Sequence, residues 1–241
     1  MAKIHMLLQG KGGVGKSFIA SVVAQYKLAK GQKPLCIDTD PVNATFFGFK
    51  ALKVKRLELM DGEEINPRNF DALVELVAPS KNDVVVDNGA SSFVQLAHYL
   101  VTNEVPQLLQ NMGHELVIHS VITGGQAFDD TLHNLKEIVP QFPPEALFVV
   151  WLNPYWGPIE DKGKPFEQLA EYDALKDRLS ALVTIPTLKA ETYGRDLTEL
   201  LQSRQTFDEA LAKDSLTIMT RQRLKIIRDQ LFSQLDNAAV L

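Results

Sequence analysis

Short apolar runs alternate along the chain with longer segments of helical period. The runs cover residues 4–8, 34–37, 83–86, 116–123, 147–152 and 181–185. Each is too short for a helix and continuous rather than alternating, which is the pattern of a strand buried on both faces. Helical spacing follows at 16–30, where Gly31 stands at the expected C-cap, and at 69–77. Strands separated by helices predict an α/β fold with a mostly parallel sheet and helices on both faces. Such sheets bind ligands at the carboxyl ends of their strands. Those ends carry Asp38, Asp87, the pair Gly124 and Gly125, Asn153 and Pro186.

No Gly, Pro or Ser tract separates two domains, so the 241 residues read as one, with 215–241 as a C-terminal amphipathic helix and tail. Apolar residues at 45 % and charged residues at 23 % are ordinary for a globular chain. The net charge of −5 argues against a wholly basic, nucleic-acid-coating surface and leaves room for a local basic patch. One cysteine excludes a disulfide framework and a four-cysteine metal site, and is compatible with a reducing cytoplasm. The apolar run after Lys3 is too short for a secretory signal, and no window approaches a membrane span.

Residues 10–17 read GKGGVGKS, between a predicted strand and a predicted helix. That is the spacing and the setting of a phosphate-binding loop. The backbone N–H groups of Gly10, Lys11, Gly12, Gly13, Val14, Gly15, Lys16, Ser17 and Phe18 can turn toward phosphate oxygens, helped by the N-terminus of the following helix. Lys16 can reach the terminal phosphates, and the Ser17 hydroxyl can meet Mg²⁺.

Lys11 is a second lysine that a plain phosphate loop does not need. With it, GKGGVGKS resembles the deviant P-loop of the ParA/MinD family. The likeness continues in CIDTDPVNAT (36–45), NDVVVDNGAS (82–91), VVWLNP (149–154) and TIPTLK (184–189). The resemblance implies ATP and Mg²⁺ as cofactors and a homodimer formed around two nucleotides. Lys11 then crosses the interface to the partner's nucleotide, Asp40 orients the attacking water, and Asp38 and Asp87 organise Mg²⁺ with Ser17. The Gly89 N–H senses the γ-phosphate, Asn153 recognises adenine, and the loop at Pro186 contacts the base. The opening MAKIHM, GQKPLCIDTDPVNATF, NPYWGPIE and LTIMTRQRLKI are similar to conjugal transfer proteins of broad-host-range plasmids. That implies a cytoplasmic ATPase acting with other conjugation or plasmid-maintenance proteins.

The chain departs from the family in three places. Phe18 replaces a second hydroxyl, Val42 runs straight into Asn43, and Asn88-Gly89 replaces a proline-bearing switch. These bear on hydrolysis more than on binding. Two other readings stay open: a metabolic ligase of the dethiobiotin synthetase kind, and a protein that holds nucleotide without useful turnover. Iron proteins related to nitrogenase reductase share the loop but need two cysteines per subunit, which this chain lacks.

Near the C-terminus, Leu216, Met219, Leu224, Ile227, Leu231 and Leu235 form an apolar stripe, and Arg221, Arg223, Lys225 and Arg228 make its start basic. The segment reads as a final helix packed on the sheet, with DNA, a partner protein or the periphery of the inner membrane as the alternatives. His5 lies in the first strand as a structural histidine, and Cys36 reads as a small buried thiol.

Overall fold

The computed structural model describes residues 1–62, 64–238 and 240–241. Among them one parallel sheet holds β1 (Lys3–Leu7), β2 (Leu35–Asp38), β3 (Lys55–Arg56), β4 (Val84–Asp87), β5 (Glu115–Thr123), β6 (Leu147–Asn153) and β7 (Leu179–Thr184). Their order is β7-β6-β5-β1-β4-β2-β3. Order reverses around β1, which is where an open parallel sheet leaves a crevice for a ligand. Register sets Asp38 beside Asp87 and Leu7 beside both Asp87 and His119, so the strand ends converge.

Alternate residues feed two cores. Ile4, Met6, Val84, Val86, Ile118 and Ile122 face one side. That side is covered by α2 (Asn69–Val77), α3 (Phe93–Thr102), α4 (Val105–Asn111), α5 (Phe128–Ile138) and α6 (Ala170–Leu175). Leu7, Val85, Val117, Val121, Val149 and Trp151 face the other. There lie α1 (Lys16–Ala29), α7 (Arg195–Gln202), α8 (Phe207–Leu211) and α9 (Ile218–Asn237). Burial on both faces explains why the strands read as unbroken apolar runs.

Six predicted strands stand within two residues of their expected bounds, and the helix over 69–77 coincides with α2. The seventh strand, β3, has two exposed basic residues and no apolar pattern to mark it.

The second core contains one polar chain. The Trp151 indole donates to His119 Nδ1 at 2.9 Å, and His119 Nε2 lies 3.0 Å from His5 Nδ1. An indole can only donate, so His119 carries its proton on Nε2 and His5 on its own Nε2. His5 Nε2 is buried without a partner, so the histidine is only half satisfied. Burial pushes His119 down to about 3 and His5 well below its ordinary value, keeping both rings neutral.

In α9, Leu224, Ile227, Leu231 and Leu235 are buried as the stripe predicts, whereas Met219 stays 58 % exposed. The basic start is turned onto the molecule itself. Arg223 pairs with Asp196 of α7, Arg228 with Asp208 of α8, and the Arg221 guanidinium donates to the carbonyls of Leu211 and Lys213. The helix is therefore tied down by its arginines as well as its leucines. Among the described residues no helix is long and apolar enough to cross a membrane.

Candidate functional site

The chain leaves β1 at Leu7 and enters α1 at Lys16, and the loop between them sits at the convergence of strand ends. Gly15 has φ +100°, a conformation that side chains strain to adopt, and a Cβ there would lie 3.0 Å from Asn153 Nδ2. Gln9 anchors the loop's stem. Its Nε2 donates to the Val121 carbonyl at 2.7 Å, and its Oε1 accepts from Asn134 of α5. The loop opens onto a cavity of about 510 Å³. Gly12, Gly13, Gly15, Lys16, Ser17 and Phe18 border it on one side, and Asp40, Val42, Asn43, Thr45, Ala90 and Ser91 on the other.

Lys16 is nearly buried, and its Nζ donates to the Lys11 carbonyl at 2.9 Å across the loop. Burial lowers its pKa, while Asp87 and Asp40 pull the other way. Asp87, at the end of β4, is fully buried, and no hydrogen bond of standard geometry reaches either of its oxygens. Burial pushes its carboxyl up to about 7; the Ser17 hydroxyl and Lys16 favour the charge, and Asp38 and Asp40 add to the rise. A buried carboxylate without partners, facing a cation and a hydroxyl, is suited to a metal ion.

Asp38 has a different setting. Its Oδ1 accepts from the Asp40 N–H at 3.0 Å, and its Oδ2 from the Phe47 N–H at 2.8 Å. It folds the loop 39–47 back over the sheet end, and burial raises its pKa against those two bonds. Asp40 accepts from Val42 N–H at 2.9 Å and Asn43 N–H at 3.0 Å, and its carboxylate packs on Gly89. Asn88 is locked by two hydroxyls, Thr39 at 3.1 Å and Ser92 at 2.8 Å, which fixes the turn after Asp87.

Other expected residues lie elsewhere. Lys11 points away from the cavity, 2.6 Å from Asp130 of α5, in an exposed ion pair. Asn153 and Pro186 do not border the cavity, and neither do Asp38, Asp87 and Gly89. The Asn153 amide, expected to face a base, donates to the Val14 carbonyl at 2.9 Å, and its oxygen accepts from the Tyr155 N–H at 3.2 Å. Pro186 lines a second cavity with Thr184 and the α9 residues Ile226, Gln230 and Gln234. Gln9, Ser92, Asp130 and Asn134 carry supporting bonds from outside the motifs, and Thr39 and Asn88 carry theirs from within motifs that assigned them no role. Only Gln9 carries a local signal, a polar residue closing an otherwise apolar strand.

Among the described residues no three His, Cys, Asp or Glu side chains form a cage for a metal. Mg²⁺ bound with a nucleotide does not need one, since water and phosphate supply most of its oxygens. Ser17 and Asp87 fit that requirement.

Residues 5–219 match the CobQ/CobB/MinD/ParA nucleotide binding domain family. Protein TraL of Escherichia coli is 69 % identical over 241 residues, covering all of both chains, and a second Protein TraL of that organism is 70 % identical over the same span. Among solved structures, the MinC:MinD cell division protein complex of Aquifex aeolicus superposes with a TM-score of 0.52 at 16 % identity, covering 96 % of each chain. A putative plasmid partition protein of Borrelia burgdorferi bound to AMPPNP gives 0.51 at 15 % identity, covering 98 % of this chain and 99 % of the other. The family match covers the glycine loop and most of both cores, and with it the chain belongs to the CobQ/CobB/MinD/ParA family of nucleotide-binding domains.

Proposed function

We propose that this chain is a MgATP-dependent switch of the ParA/MinD type, which hydrolyses ATP slowly and serves positioning or assembly in plasmid conjugative transfer. The observation that carries the reading is Asp87, whose two buried oxygens lack a hydrogen bond of standard geometry and lie under the influence of Ser17 and Lys16 of the glycine loop. In this reading Lys16 and the loop N–H groups hold the phosphates, and Ser17 and Asp87 hold Mg²⁺. Mg²⁺ supplies positive charge to the phosphate oxygens when bound. Asp38 keeps the loop 39–47 over the site, so that Asp40 borders the phosphate cavity and directs water. The Gly89 N–H faces the γ-phosphate. Lys11 exchanges Asp130 for the nucleotide of a second copy, adding charge where the phosphoryl group departs. The AMPPNP in the plasmid partition protein of the same fold supports an adenine nucleotide. The role in conjugation rests on the resemblance to conjugal transfer proteins and the full-length identity to Protein TraL.

A second reading, nucleotide binding without useful turnover, is favoured by Asp40, whose Oδ1 already caps its own turn through two N–H groups. Phosphate release, measured with and without DNA, vesicles and conjugation proteins, tests both. Slow release that rises with one of those additions is the expected result. ATP binding with no release under any condition selects the second reading, and turnover that demands a small metabolite points to a ligase.

A further inference from the structure

Asn153 ends β6, is almost fully buried, and bridges two loops. One partner is a carbonyl, Val14 O, and the other an N–H, that of Tyr155. A carbonyl can only accept and an N–H only donate, so the amide's orientation is fixed by its neighbours. The Nδ2 end reaches into the glycine loop one residue before Gly15, where a Cβ would crowd it. The Oδ1 end starts the turn Pro154–Trp156. That turn presents Tyr155 and Trp156 edge to face, 68 % and 59 % exposed. From below, the Thr123 hydroxyl holds the Asn153 carbonyl at 2.9 Å.

We infer that Asn153 is a positioning residue for the phosphate loop, and that it couples that loop to the aromatic turn 154–156. Each of its hydrogen-bonding ends makes a bond inside the chain, one to the glycine loop and one to the turn. The inference rests on the nucleotide-binding reading above and adds a part for one of its residues. Two consequences follow. A ligand with no base should be felt at Trp156, and loss of the Asn153 amide should weaken every phosphate ligand alike.

The test uses Mg²⁺-tripolyphosphate, MgATP and MgGTP, titrated into the full chain carrying Trp151→Phe, so that Trp156 is the sole indole. Tripolyphosphate should produce a saturable fluorescence change. Asn153→Ser keeps an oxygen for the Tyr155 N–H but cannot reach Val14. It should weaken all three ligands by a common factor of about 2 to 10, the worth of one neutral hydrogen bond. It should also shrink the Trp156 signal at saturation, which an unfolded fraction would not do once bound protein is counted by equilibrium dialysis. A thermal melt confirms that the variant is folded, and Asn153→Ala, if folded, should behave as the serine variant does. The inference is overturned if ATP binding weakens while tripolyphosphate binding does not, or if tripolyphosphate binds without changing Trp156. Failure of the parent chain to bind either ATP or tripolyphosphate instead removes the nucleotide-binding reading itself.

Discussion

Single side chains in this protein hold tension that a ligand or a proton can relieve. Asp87 ionises near 7 in the fold against an ordinary 3.8, so between those values the folded chain keeps a proton that the unfolded chain has released. Its contribution to stability therefore falls as pH rises from about 4 to about 7 and stays low above. Asp87→Asn should stabilise the ligand-free protein at pH 8 by an amount on the order of 1–4 kcal/mol, and by less at pH 5. The same variant should gain less Tm from MgATP than the parent does. A Tm difference that does not change between those pH values would mean that Asp87 ionises like an exposed carboxylate. His119 has the opposite sign. Its folded value near 3 lies below the ordinary 6.5, so stability is full above about 6.5 and is lost as pH falls toward 3. His119→Gln can still accept from the Trp151 indole and donate to His5 without titrating. Acid unfolding, followed by circular dichroism, should move to lower pH in that variant; an unmoved midpoint would place the acid-sensitive group elsewhere.

Among the elements, α9 separates packing from surface chemistry. Its arginines look like a basic face in sequence but are partnered with Asp196, Asp208 and two carbonyls of the chain. Arg223→Gln should leave the buried Asp196 short of its cation and lower Tm, whereas the exposed Lys225→Gln should leave Tm unchanged. Equal melts for the two would show that the Arg223 pair adds nothing. The contrast marks what a linear reading can reach. Strands buried on both faces announce themselves in four to eight consecutive residues, and the glycine loop in eight. The two-residue β3 is made of two exposed basic residues, and Met219, in the first turn of α9, stays exposed although it belongs to the stripe. In the site, the motif residues were legible, but their engagements were not. Gln9 meets Asn134, Lys11 meets Asp130 and Asn153 meets Val14 across more than a hundred residues of chain. Nothing local records such pairings, so Asn153 reads as a free amide until its partners are seen.

At the scale of the whole molecule, the proposed dimer depends on a lysine that is engaged at home. The Lys11–Asp130 pair is exposed on both sides, a class worth at most about 1 kcal/mol, so it is easily exchanged. Lys11→Ala should abolish dimerisation with a non-hydrolysable ATP analogue while keeping most nucleotide affinity. Asp130→Asn should keep the dimer and move its formation to a protein concentration lower by up to about 30-fold, since each of the two copies gives up such a pair. Light scattering reads both, and a dimer that survives Lys11→Ala would count against the crossing role. Two glycines divide the molecule in another way. A Cβ at Gly124 would run into the carbonyl oxygens of Gly157 and Pro158, so the loops after β5 and β6 are pressed backbone to backbone. A Cβ at Gly12 meets nothing within 4 Å. In a pooled library scored separately for cellular abundance and for plasmid transfer, alanine at 124 should vanish from the first score. Alanine at 12 should persist in the first and fail only in the second, since the space it fills is the space phosphate would take. Positions along this chain would then sort into those that inheritance guards for the sake of folding and those it guards only for the nucleotide.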